Sequence, residues 1–293
     1  MKTKSLIFVI LAGLLWGTSG IFVNFLAPYG FTSIQMTSVR AAISFICILA
    51  FVLIRDKSLL KINLIQLLIC CGAGGSLFAT AALYYTAMQM TSVSTAVVLM
   101  YTSPIYVVVL AVFFLGEKIS RLKLISIAGM ILGCIFVSGV LDSGNFNAPG
   151  IAISLISGLA YSLYNLLTKI AVKANLKPTT TTLYSFMFMT LIALVISKPW
   201  QIVTYAAVEP LKTVPLLIGL ATFTFVIPYT LYTIAMKSLS AGTASSLSIV
   251  EPASATVYSI LFFDEKLTAF AIIGTALILL STITISKAEQ NTK

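Results

Sequence analysis

Runs of about 20 predominantly apolar residues, parted by short polar breaks, constrain this chain more than any motif in it. They fall near 5–26, 34–54, 64–87, 93–115, 122–140, 149–170, 179–197, 213–235, 240–262 and 269–286. A helix of about 20 residues crosses about 30 Å of hydrocarbon, and inside lipid the backbone must satisfy its own hydrogen bonds, as a helix does. With 59% hydrophobic and 9% charged residues, the chain also lacks the charged surface of a water-soluble globule, in which about a quarter of residues are charged. The expected fold is an all-α integral membrane protein of ten transmembrane helices. The first run follows Lys2 and Lys4 as a signal peptide would, but continues to Leu26 without a small-residue cleavage site, and so reads as the first span.

The breaks carry turn and charge signals: LAPYGFTS, RDKSLLKIN, GEKISRLK, LDSGNFNAPG, KIAVKANLKP and SKPWQIVTYAAVEPLKTVP. Pro28, Pro149, Pro178, Pro199 and Pro210 lie in them, where a missing N–H costs little. The net charge of +10 orients the chain rather than binding a polyanion. With the N-terminus in the cytoplasm, the clusters Lys2/Lys4, Arg55/Lys57/Lys61, Lys118/Arg121/Lys123, Lys169/Lys173/Lys177, Lys237 and Lys287/Lys293 share that side, leaving only Lys198, Lys212 and Lys266 opposite. Both termini are therefore expected in the cytoplasm, and the chain in the cell membrane. Cys47, Cys70, Cys71 and Cys134 lie in apolar stretches without metal or disulfide spacing and read as small core residues.

The chain repeats itself. The segment 86–119 matches 233–267 at a constant offset that pairs Ala87 with Ala235, Pro104 with Pro252, Phe114 with Phe262, and Glu117-Lys118 with Glu265-Lys266. At a slightly smaller offset AGLLW (12–16) meets SGLAY (157–161), so Trp16 pairs with Tyr161, and Gly129 meets Gly274. Two halves follow, 1–145 and 146–293, each of five spans. An odd number of spans per half makes the second enter the membrane from the opposite side, as inverted repeats do.

The start AGLLWGTSGIF, an arginine early in span two, and the paired endings TSP…FFLGEKIS and VEPASA…LFFDEKLT resemble the drug/metabolite transporter superfamily, specifically its ten-span EamA-type members. The resemblance covers nearly the whole chain. It implies a ten-helix carrier with a central cavity between the halves, often exporting its substrate, in a group whose members carry amino acids, other metabolites or organic cations.

Several residues are candidates for the transport path. Glu251 lies deep in the ninth run, too far from either end for a short carboxylate to reach the interface; it is a candidate proton-coupling or cation-binding group, or else hydrogen-bonds to backbone disturbed by Pro252. Its repeat partner is Ser103, so the halves share the proline and not the acid. Pro104 and Pro252 each weaken a helix, as a gating hinge or as a static kink. Arg40 either snorkels to the interface or faces a substrate carboxylate, which a guanidinium fits well. Span six carries a polar stripe, Ser154, Ser157, Tyr161, Tyr164, Asn165 and Thr168, at helical spacing. Thr222, Tyr229, Tyr232 and Thr233 flank Pro228 in span eight; Thr80 and Tyr84 lie in span three, Ser94 and Tyr101 in span four, Trp16 in span one. Aromatic walls around a few polar groups are the composition of a small-molecule site, and of helix packing where they fail to converge. Gly13-x-x-x-Gly17 and Gly129-x-x-x-Gly133 read as close helix contacts, and Glu265-Lys266 as interfacial structure.

The expected function is secondary transport of a small metabolite by alternating access, with amino-acid export leading, Glu251 the candidate for proton coupling, and organic-cation or multidrug export the alternative. No phosphate-binding loop occurs, which excludes ATP-driven transport by this chain alone. The absence of histidine and the single deep carboxylate speak against an intramembrane enzyme. A non-transporting scaffold fits the hydropathy but gives no account of the duplication. No cofactor or metal is expected; the partners are the substrate and the bilayer, with no nucleic acid.

Overall fold

The computed structural model describes residues 2–103, 105–106, 109–110, 121–137, 146–235 and 250–290. They form α1 (Lys2–Gly17), α2 (Ser19–Leu26), α3 (Ser33–Arg55), α4 (Leu64–Met90), α5 (Val93–Met100), α6 (Arg121–Val137), α7 (Ala148–Lys173), α8 (Pro178–Ile196), α9 (Pro199–Val208), α10 (Pro210–Ala221), α11 (Ile227–Ala235), α12 (Val250–Phe263) and α13 (Ala269–Gln290). Among the described residues, helices are joined by short turns and there is no strand. Among the described residues, six segments are long and apolar enough to cross a membrane: Lys4–Tyr29, Ser33–Arg55, Leu64–Met90, Ala148–Thr168, Pro178–Ile196 and Pro210–Tyr232. Leu124–Val137, Val250–Phe263 and Ala269–Thr284 are shorter apolar helices. The chain is a multi-pass, all-helical membrane protein.

Local sequence explains where helices begin. Thr32 and Gln35 form a capping box at α3: the Gln35 N–H donates to Thr32 Oγ1 at 3.3 Å and the Thr32 N–H to Gln35 Oε1 at 2.9 Å. Asn63 and Gln66 repeat the device at α4, at 2.9 and 3.1 Å. After α3, Asp56 accepts from the Ser58 N–H at 2.9 Å and lies 3.8 Å from Lys177 Nζ; the Ser58 hydrogen bonds and the ammonium hold its carboxyl below the usual range. Within helices, hydroxyls return to a carbonyl one turn back, as Ser44 does to Arg40 at 2.7 Å and Thr282 to Ile278 at 2.8 Å. A hydroxyl so paired can face lipid or an apolar neighbour without an orphaned donor.

Among the described residues, two spans are broken in mid-course beside a proline. Span four stops at Met100 and turns at Tyr101 and Thr102. Met100 lies four residues before Pro104, whose ring nitrogen has no hydrogen to give that carbonyl; Pro104 itself lies outside the described residues. The Pro210–Tyr232 span contains a π turn, Thr222–Val226, in which the Ile227 N–H donates to the Thr222 carbonyl. It precedes Pro228, where an α-helical bond is lost in any case. Pro252 is the third residue of α12 as described.

Helices of the first 137 residues pack mainly on those of the remainder. α1 lies against α11 and α12, α3 against α8 and α10, α4 against α7 and α8, α5 against α7 and α12, and α6 against α13. The largest buried cluster, with Tyr85, Leu99, Leu220 and Ile278, draws from both parts. Gly13 and Gly17 let α1 approach α12, and Gly133 lets α6 approach α13 at Gly274 and Ile278. A Cβ at Gly17 would collide with Ser254 Oγ and come within 3.0 Å of the Ala255 nitrogen. Gly17→Val is expected to cost about 1–3 kcal/mol by overpacking and to lower the thermal midpoint in detergent. Ser254→Gly in the same chain should restore much of the loss; an unchanged midpoint for Gly17→Val alone would show that the helices separate freely here.

Candidate functional site

Where these helices converge they leave a cavity of about 270 Å³. Ten of the candidate residues line it: Trp16 from α1, Arg40 from α3, Tyr84 from α4, Tyr101 from the break after α5, Tyr161, Tyr164 and Asn165 from α7, Tyr229 and Tyr232 from α11, and Glu251 from α12.

Glu251 reaches across to the first part of the chain, where the Tyr101 phenol donates to its Oε2 at 2.8 Å. The turn at Tyr101 thus supplies a hydrogen bond to a carboxylate that lipid would penalise. Arg40 also turns inward. Its Nη1 donates to the buried Tyr85 hydroxyl at 2.5 Å, and the guanidinium carbon lies 4.4 Å from the Phe225 ring centroid and 5.6 Å from that of Tyr85. Both ring partners are buried in the protein interior. Cation–π contact contributes about 0.5–2 kcal/mol, rising with desolvation. Arg40 Nε is buried with no hydrogen-bond partner in the protein, and among the described ion pairs none joins Arg40 to Glu251. One cation and one carboxylate therefore share a cavity, each held by neutral side chains and neither neutralised by direct contact with the other.

Aromatic rings make up much of the wall. Trp16 packs edge-on to Tyr229 at 5.4 Å between centroids and tilted against Tyr232 at 5.6 Å. Tyr161 stacks on Tyr164 at 6.3 Å. Behind them Phe186, Phe225 and Tyr229 form a chain with spacings of 4.4 and 4.5 Å, which backs the ring beneath Arg40.

Other expectations part company with the geometry. Ser154 and Ser157 are buried in packing contacts and bond to the Gly150 and Ser154 carbonyls, so only the later part of the α7 stripe reaches the cavity. Thr224 lines the wall in place of Thr222, because the π turn shifts the register of everything before Tyr229. The Thr233 side chain lies outside the described residues. Ser94 does not reach the cavity: with Ser92 it donates to Glu265 Oε1, while Ser259 donates to Oε2. Glu265 is thereby a structural clasp between the start of α5 and the end of α12. Ser19, Leu77, Ala81 and Met100 also line the cavity and carry no distinguishing signal in apolar runs.

α5 and α12 are consequently joined at two levels. Ser92 and Ser94 meet Glu265 at the start of α5, and about 13 Å further on, nine residues along at 1.5 Å each, Tyr101 meets Glu251.

Comparison with known proteins agrees with this architecture. The model of the EamA-like transporter family matches twice, over residues 3–139 and 148–287. An uncharacterized transporter of Archaeoglobus fulgidus is 27% identical over 284 residues, 92% of each chain, and one of Clostridium kluyveri 26% identical over 290 residues, 96% of this chain and 92% of that protein. A threonine/homoserine exporter, RhtA, of Salmonella typhimurium is 29% identical over 223 residues, 74% of this chain and 72% of its own. A crystal structure of a protein 16% identical in sequence shares the fold with a TM-score of 0.62 over the whole of both chains. The chain belongs to the EamA-like transporter family.

Proposed function

We propose that this transporter exports a zwitterionic metabolite, an amino acid or a close relative, by alternating access. The observation that carries the reading is the cavity in which Arg40 and Glu251 present opposite charges without an ion pair between them. An α-amino acid brings a carboxylate and an ammonium. A guanidinium with an unused Nε–H suits the first, and a carboxylate accepting one phenol hydrogen bond has lone pairs left for the second. The cavity volume suits a small solute. The similarity to a threonine/homoserine exporter supports the same class. Arg40 in the wall speaks against a purely cationic ligand, the organic-cation alternative.

Alternating access draws on the two family matches in one chain, which support a duplication; we read its halves, 1–145 and 146–293, as five spans each in inverted orientation and, from the lysine and arginine bias, with both termini in the cytoplasm. The cavity takes residues from both. Glu251, set in only one repeat, is the group through which a proton would couple to the substrate.

Uptake of labelled amino acids and organic cations into proteoliposomes, with and without an imposed pH gradient, tests the reading. Specific amino-acid uptake is expected, and uptake confined to organic cations overturns it. Hydrogen bonds to charged groups contribute about 1.5–3 kcal/mol, so Glu251→Gln is expected to weaken amino-acid binding about 10- to 100-fold and to abolish acceleration by the gradient; an unchanged gradient response removes Glu251 from coupling. Arg40→Gln is expected to produce a comparable loss for the amino acid, yet to leave binding of the amine lacking its carboxylate within about threefold. Equal losses for both ligands would show that Arg40 supports the cavity wall and does not touch substrate.

A further inference from the structure

We infer that α9 is an interfacial helix: it lies in the plane of the membrane surface and docks its free apolar face on the lipid bilayer. With ten residues it is about 15 Å long, half of what a crossing needs. Both neighbours are long and apolar enough to span, and the connections are minimal: Ser197 and Lys198 after α8, Glu209 before α10. Both corners are sharp. Lys198 adopts the left-handed region at φ +51°, Glu209 sits at φ −138° and ψ 73°, and Pro199 and Pro210 start the helices that follow. The Thr213 hydroxyl donates to the Ala206 carbonyl at 2.7 Å and fastens the second corner. The helix is thus pinned at the level where two spans leave the hydrocarbon.

Its two faces differ. Ile202, Tyr205 and Ala206 pack on the main buried cluster. Tyr205 meets Phe31 edge-on at 5.8 Å, and Gln35 donates to Gln201 at 3.2 Å. The opposite face carries Trp200, Val203, Thr204, Ala207 and Val208, with Trp200 68% and Val203 70% exposed, and Leu211 follows at 92%. That face bears no charge, and its one hydroxyl is spent within the helix, Thr204 donating to the Trp200 carbonyl at 3.1 Å. Charges stand only at the ends, where Lys198 precedes the helix and Lys212, 2.6 Å from Glu209, follows it. An uncharged apolar stripe with a tryptophan, bracketed by lysines at the depth of the headgroup phosphates, fits a bilayer interface and would be costly in water.

The seat has a structural consequence. Through Tyr205 and Gln201, α9 braces the turn between α2 and α3, whose Gly30, at φ +91°, lies against the Tyr205 ring, 3.3 Å from where a Cβ would stand. That turn borders a groove of about 540 Å³, lined also by Asn24, Thr32, Ser33 and Gln89.

Tryptophan emission reads the docking directly, independently of transport. The chain has two tryptophans, so the difference between the unmodified protein and Trp200→Phe isolates Trp200. In phosphatidylcholine vesicles brominated near the headgroup end of the acyl chain, Trp200 is expected to lose most of its emission. It should lose less with bromine near the chain end, and almost none to aqueous iodide. Val203→Asp should move Trp200 toward the iodide-quenched state. Quenching by iodide alone places the face in water, strongest quenching by deep bromine places it inside the hydrocarbon, and shielding from both quenchers places it against another protein, such as a second copy of this chain. Each of these three outcomes overturns the proposal.

Discussion

A polar group inside the hydrocarbon finds its partner in the chain or goes without, and this architecture is built around that rule. Hydroxyls bond back along their own helices, as Ser44 and Thr282 do. Charges require partners from elsewhere, which is why Arg40 needs Tyr85 and Phe225 from two other segments and Glu251 needs Tyr101. These long-range contacts tie together helices whose apolar surfaces alone would slide as readily on lipid as on one another, since lipid tails offer no hydrophobic drive for association.

The broken helices belong to the same logic. A turn at Tyr101 and a π turn before Pro228 leave backbone groups irregular at membrane depth, where they are tolerated only beside protein or a cavity. Both breaks border the cavity: one aims the Tyr101 phenol at Glu251, the other sets Thr224 into the wall and Phe225 beneath the Arg40 guanidinium. Irregular backbone here marks where the helices stop facing the bilayer and start lining the cavity.

Much of this was legible in the sequence, for reasons that also explain what was not. Long apolar runs fix membrane helices through period and length alone, and Trp16, Arg40, Tyr161 or Glu251 stand out because hydrocarbon makes each of them conspicuous. Register across a π turn depends on how Pro228 is accommodated, so Thr222 was expected where Thr224 lies. Ser94 looked equivalent to Tyr101 at helical spacing until Glu265, far along the chain, claimed it. The direction of Arg40 rests on Tyr85 and Phe225, neither of them a neighbour in sequence. The segment now seen as α9 read as a break, since its apolar residues are too few for a span and its ends are marked by proline.

The two-level join between α5 and α12 bears on how such a molecule can move. Two rods linked at a single point pivot freely; linked at two points about 13 Å apart, they tilt together and cannot shear past each other. Any rocking that exposes the cavity to one side therefore carries α5 and α12 as one lever. Because the inner pin is Glu251 itself, a solute bound there as proposed, drawing the carboxylate away from Tyr101, would loosen that lever at the end nearest the load.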